Sequence, residues 1–265
     1  MCINYGKIRA TGGYRVTVHV LGNDISEDCS LIGGIVGQGI NGKIVKAVNK
    51  GILQTANYQV AGGIIGLALR ETMVKQCSNY ANITCMNEQD VGGIVGYSNK
   101  ATIEECFNQG QIKGKEYVGG ILGQSTYTTI KNCYNMGDIS GNDIVAGIVG
   151  DISPFELRQG YEYLYNCYNL GMITGTTKDP IIAKCNYLTW DYIYTTKAIH
   201  EVVGDGVWKN EAGNNNVGIL TGTDAQIKQT MLTNLQKENG SGKWMCDTNG
   251  NKNNGYPYLV NNVPE

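Results

Sequence analysis

The stretch VGGILGQSTYTTIKNCYNMGDI, residues 118–139, joins a glycine block, VGGILG, to the run CYNMGDI. Both motifs recur along the chain. The block reads LIGGIVG at 31–37, VAGGIIG at 60–66, VGGIVG at 91–96 and VAGIVG at 145–150. The glycine before its isoleucine falls at Gly34, Gly63, Gly93, Gly120 and Gly147, at intervals of 29, 30, 27 and 27 residues. The second motif follows each block as AVNKGIL at 47–53, CSNYANI at 77–83, CFNQGQI at 106–112, CYNMGDI at 133–139 and CYNLGMI at 167–173. The last Cys-to-Cys interval stretches to 34 because PFELRQGYEYLY is inserted ahead of Cys167. CINYGKI at 2–8 is a sixth copy without its block, so the natural protein is expected to extend upstream of Met1.

Each unit holds three short segments rich in Ile and Val and bounded by Gly or Asn, with no 3.6-residue apolar stripe lasting ten residues, so the segments read as strands. Glycine, at 37 of 265 residues with only 4 prolines, fits many tight turns between them. Three strands per repeat, in tandem, describe a right-handed three-sided parallel β-helix, an all-β solenoid whose coils stack about 4.8 Å apart. Three apolar ladders follow: Ile35, Ile64, Ile94, Ile121 and Ile148; Ile44, Val74, Ile103, Ile130 and Leu164; and Leu53, Ile83, Ile112, Ile139 and Ile173. The Asn column (Asn4, Asn49, Asn79, Asn108, Asn135, Asn169) never varies, as expected of buried amides bonding to those above and below. Glycine two residues later suits a corner with positive φ, Ala81 being the exception. Ile at minus three and Cys at zero cannot both face inward on one regular strand, so a bulge or bend is expected between them.

The glycine block followed by N-C-Y-N-x-G-x-I resembles the GLUG repeat, over roughly 31–175 and the fragment at 2–8. The resemblance implies an extracellular β-helix of a large bacterial surface protein, with IgA-specific metallopeptidases also carrying the repeat and no activity common to all members. The tail resembles the pattern closing such arrays, with CNYL at 185–188, then Trp244, Asp247 and NNGYPYL at 253–259. The repeats thus occupy 1–175, interrupted by an insertion at about 9–30. Residues 176–265 form a last degenerate coil, with PIIAK replacing the glycine block near 180, and a small α/β-type C-terminal cap. Trp190, Trp208 and Trp244 are confined to this tail, and GNNN at 213–216 reads as a polar turn. Thr223 and Gln226 form a capping box ahead of an amphipathic stripe of Ile227, Met231, Leu232 and Leu235, so a helix is expected near 224–237. Laid over the last coil, it would block open strand edges.

The composition excludes several functions. Charged residues are sparse at 17% and net charge is −2, so no nucleic-acid partner is expected. Apolar runs such as GGIVG at 33–37 are far too short to span a membrane. No HExxH occurs, His19 and His200 are the only histidines, and GQSTY at 123–127 lacks the second glycine of a nucleophile elbow. The Cys column (Cys77, Cys106, Cys133, Cys167) would place sulfurs about 5 Å apart, too far for one zinc shell. Ala47 in that column marks it as a small apolar site. Glu88, Asp90, Glu104, Glu105, Glu116, Asp138 and Asp143 are scattered, and adjacent Glu104 and Glu105 should face opposite sides of a strand. No metal or cofactor is expected. Phe107, Tyr134 and Tyr168 alternate with the Cys column, face outward if Cys faces in, and are the candidate platform for host glycan or protein, or a cross-coil stabilising stack.

The expected function is a non-catalytic, monomeric stalk or adhesin at the cell surface or cell wall, joined to flanking domains of the same polypeptide. The alternatives are an accessory, substrate-positioning domain of a secreted peptidase or glycosidase, and a β-helix polysaccharide lyase or hydrolase.

Overall fold

The computed structural model describes residues 2–6, 8–10, 15–20, 23–28, 31–55, 60–87, 90–152, 163–185, 189–196, 217–237, 240–247 and 249–264. Glu88, His200, Trp208, the turn at 213–216, residues 186–188 of the CNYL motif and most of the insertion ahead of Cys167 lie outside them.

The repeat folds as a parallel β-solenoid, with three six-stranded sheets and one twelve-stranded sheet running along it. A coil enters through Tyr117–Gly119 and turns into Leu122–Thr126. It continues through Thr129–Lys131 and Tyr134–Asn135 and leaves through Ile139–Ser140. Register follows the repeat: Val118 pairs with Val91 and Val145, and Asn135 with Asn108 and Asn169. The glycine block, expected as one strand, is therefore two strands on different sheets with a sharp turn at Gly120 and Ile121.

All three apolar ladders lie inside. Ile64, Ile94, Ile121 and Ile148, then Val74, Ile103 and Leu164, then Leu53, Ile83 and Ile112 are fully buried. The bend that brings Ile130 and Cys133 into one core is a left-handed residue between them. Asn132 has φ 54°, and Lys46, Gln76, Glu105 and Asn166 have φ 56°, 55°, 54° and 51° at the same place in their coils. One αL residue reverses the alternation of the strand, so side chains three apart share a face.

The corner glycines need a different explanation from the one expected. Gly51, Gly110, Gly137 and Gly171 are absent from the positive-φ residues. They are glycines because of close approach: a Cβ on Gly137 would sit 2.0 Å from the Gly110 carbonyl oxygen and 3.0 Å from Asn108 Nδ2.

The Asn column is a continuous hydrogen-bonded ladder. Asn4 Nδ2 donates to Asn49 Oδ1 at 3.0 Å, Asn49 to Asn79 at 2.9 Å, and Asn79, Asn108 and Asn135 each to the next at 2.7 Å. The second amide hydrogen reaches the carbonyl two residues on, as from Asn135 to Gly137 at 2.8 Å. The ladder lies against the turn glycines across the coil: a Cβ on Gly93 would come 2.6 Å from Asn108 Cγ, and one on Gly120 would come 2.5 Å from Asn135 Cγ. Asn and glycine thus meet at a polar waist, and the apolar interior divides into two separate clusters, one around Ile121 and Cys133, the other around Val118 and Ile139.

The solenoid continues past the repeats legible in sequence. Thr177–Asp179, Ile182–Cys185 and Thr189–Thr196 extend the sheets, and Asp179 Oδ1 accepts from the Ile181 and Ile182 amides at 2.8 and 3.0 Å where earlier coils have glycine or alanine. The insertion near 9–30 includes an antiparallel hairpin, Arg15–Val20 with Asn23–Asp28, that forms its own two-stranded sheet.

Candidate interaction surface

Phe107, Tyr134 and Tyr168 stack along the outer face of the twelve-stranded sheet, successive ring centroids 5.0 Å apart and tilted by 12° and 8°. As an exposed platform the column is corrected by the structure: all three side chains are fully buried. The cover is the chain's own C-terminal segment. Helix α1, Asp224–Leu235, starts at the expected Thr223–Gln226 capping box and contributes Met231 and Leu235. Trp244 tilts over Tyr134 and Tyr168 at 6.0 and 5.7 Å, and Tyr258 and Leu259 complete the cluster. Tyr168 Oη donates to the Pro257 carbonyl and accepts from Asn253 Nδ2.

The cover was expected over the end of the last coil. The helix does lie against Thr189–Thr196 and Val217–Leu220, and the rest of the segment runs back along the flank, where the stacked rings of Phe107, Tyr134 and Tyr168, with Tyr194 in the same cluster, offer an apolar face needing burial. The αL column supplies the polar anchors. Trp244 Nε1 donates to Asn132 Oδ1 at 3.1 Å. Glu105 accepts from Lys243 Nζ at 2.8 Å, Gln76 Nε2 at 2.9 Å and Asn261 Nδ2 at 3.3 Å, and Asn262 Nδ2 reaches the Glu105 and Cys77 carbonyls. Bending the chain also turns these side chains outward, a second role that repeat columns alone do not reveal.

Glu104 and Glu105 do not face opposite sides, as adjacency in a regular strand implied. The αL bend brings both to Lys75, at 3.2 and 3.6 Å, and Lys131 lies 3.7 Å from Glu104. Burial pushes the Glu105 carboxyl up, but hydrogen bonds from Lys243, Gln76 and Asn261 outweigh it and hold the pKa at about 2. This value is lowered from 4.5, so the carboxylate stabilises the fold fully above about pH 4.5 and the contribution drains away as pH falls through 2. The shift corresponds to about 3 kcal/mol. Glu105→Gln is accordingly expected to lose about that much in urea unfolding at pH 7 and to converge with wild type near pH 2.

The Cys column is inert. Each thiol donates to the carbonyl two residues back, Cys106 to Glu104 at 3.2 Å and Cys133 to Lys131 at 3.3 Å, and burial pushes both thiols well above their ordinary range. Among the described residues no three His, Cys, Asp or Glu side chains are grouped to hold a metal. No helix among them is long and apolar enough to cross a membrane.

Residues 114–140 match the family model of the GLUG motif. That span covers one entry strand, Tyr117–Gly119, through one exit strand, Ile139–Ser140, so the motif is the physical coil. No curated protein and no solved structure matches the chain.

Proposed function

We propose that the chain is a non-catalytic stalk module of a large bacterial surface protein, holding neighbouring domains of the same polypeptide at a fixed spacing outside the cell. The observation that carries this is the use made of the repeated residues. The Asn ladder and the turn glycines face other parts of the same solenoid, and the aromatic column of Phe107, Tyr134 and Tyr168 is sealed by the chain's own C-terminal segment. The GLUG motif and the resemblance to surface-protein repeats support the extracellular setting.

A second reading, adhesion, has one observation in its favour. Tyr5 is 69% exposed, and Lys50 Nζ lies 5.3 Å from its ring and 5.7 Å from that of the half-buried Tyr80. An exposed aromatic ring beside an ammonium suits an acidic sugar.

Screening the module against mucin glycans and host extracellular proteins, with a depolymerisation assay on acidic polysaccharides, separates these. The stalk predicts neither saturable binding nor turnover. Binding abolished by Tyr5→Ala with Tyr80→Ala would establish adhesion. Turnover abolished by Asp90→Asn or Asp151→Asn, two buried carboxylates whose charges both act on Tyr117, would overturn both in favour of an enzyme.

A further inference from the structure

The glycine turn of each coil reaches forward with three backbone donors. Gly120 N bonds the Ala146 carbonyl at 3.1 Å, and Ile121 and Leu122 N bond that of Ile148 at 3.0 and 2.9 Å. The same three bonds run from the turns at Gly34, Gly63, Gly93 and Gly147 to the coil that follows each. The next turn breaks the pattern at every one of these donors. Register sets Lys178 beside Val145, Asp179 beside Ala146 and Ile182 beside Val149, so KDPI at 178–181 stands where the two coils before it have VGGI and VAGI. Pro180 has no N–H to offer. Ile181 and Ile182 are fully buried, and both amides turn back to Asp179 Oδ1, at 2.8 and 3.0 Å. A carboxylate that accepts two backbone donors makes a strong, charge-assisted pairing. The apolar ladder stops at the same level: Val91, Val118 and Val145 are fully buried, and the next rung is the exposed Lys178.

From this we infer that residues 178–182 are an end cap written into the chain, which closes the turn edge of the coil stack and keeps it from pairing with a further coil or a second copy. A strand edge with free donors is a template for other chains, and an inward-pointing lysine is one way proteins blunt it. Lys178 puts a charge where a neighbour's ladder residue would have to pack. Asp179 and Pro180 withdraw all three hydrogen bonds that the neighbour's turn would accept. Among the described residues, Thr177–Asp179 and Ile182–Cys185 are each the last strand of their sheet, so the closed turn lies at the edge that the repeats would otherwise leave open. Only the twelve-stranded sheet runs on, through Thr189–Thr196 and Val217–Leu220, and there helix α1 lies against it. The coils of identical copies are the partners such an edge would mispair with most readily, since they carry the matching register. The cap serves a stalk or an adhesin alike.

The test restores the repeat: Lys178→Val with Asp179→Gly and Pro180→Gly rewrites KDPI as VGGI. The folded triple variant should form a concentration-dependent oligomer in sedimentation velocity, where wild type stays monomeric, and its oligomer should protect the amides of 177–182 from exchange. Asp179→Ala is the second arm. Exchange at Ile181 and Ile182 should speed up about tenfold or more, with the amides of 118–149 unchanged. If the triple variant does not fold, this arm alone decides. A folded triple variant that stays monomeric would overturn the inference, as would wild type associating through 177–182 or unchanged exchange in Asp179→Ala.

Discussion

Asn135→Leu is expected to cost about 3–6 kcal/mol in chemical unfolding, a large fraction of the roughly 5–15 kcal/mol that holds an ordinary domain folded. Three hydrogen bonds of the buried ladder disappear together: Asn135 Nδ2 to Gly137 O, Asn135 Nδ2 to Asn169 Oδ1, and Asn108 Nδ2 to Asn135 Oδ1. Leucine cannot accept from Asn108 or donate to Asn169, and both remain buried, so unmet polar groups cost about 1–3 kcal/mol each. The ladder runs in one direction, every amide donating to the next, and each bond polarises its neighbours. Cys133→Ala, two residues away, should cost much less, because Ala47 already fills that column and the weakly donating Cys133 thiol reaches only the Lys131 and Ile103 carbonyls, at 3.3 and 3.7 Å, and its cysteine neighbours Cys106 and Cys167. If paired urea melts gave the two substitutions equal costs, the ladder would not be what holds the coils together.

The coil, its register and its inward ladders were legible because a solenoid repeats its environment: a residue in the same place in every coil meets the same neighbours, so columns in the sequence become ladders in space. The invariance of Asn135 and its equivalents gave the amide ladder, and the conflict between Ile130 and Cys133 gave the bend. What failed had no repeating signature. Phe107, Tyr134 and Tyr168 face outward from the coil, and nothing in their column says that Trp244, far along the chain, will lie across Tyr134 and Tyr168. Glu105 and Asn132 occupy a column of mixed composition, with Lys46, Gln76 and Asn166, that carries no repeat signature, yet both anchor the C-terminal segment. The mixture is itself the trace of that segment, since each coil meets a different part of it. One further signal was present unread. Where Pro180 takes the turn-glycine column, the partner position across the coil changes from Asn169 to Thr195, so the two invariances depend on each other.

Gly120→Ala tests that dependence, and a loss of at least about 3 kcal/mol is expected for the addition of one methyl group. The φ of Gly120 is not positive, so alanine has no conformational objection to the site, and the whole effect must come from space. A Cβ there would lie 2.1 Å from the Gly147 carbonyl oxygen in the next coil and 2.5 Å from Asn135 Cγ across the waist. Neither can yield cheaply. The Gly147 carbonyl sits in backbone fixed by the coil-to-coil hydrogen bonds, including Ile148 N to Ile181 O at 3.0 Å, and Asn135 is tied to the ladder on both sides. Relief therefore requires the waist to widen, which pulls Asn135 off Asn108 or Asn169. The same methyl at Gly242 or Gly250 meets nothing within 4 Å, although positive φ makes those sites costly for a different reason, about 1 kcal/mol of backbone strain. The double variant Gly120→Ala with Asn135→Gly separates the two sources of loss at Gly120. Removing Cγ and Cβ of Asn135, at 2.5 and 2.8 Å from the added methyl, removes the cross-coil collision and leaves the clash with Gly147, so a clear recovery relative to the sum of the single costs locates the coupling at the waist. Strict additivity in the unfolding free energies would place all of it in the stacking of successive glycines.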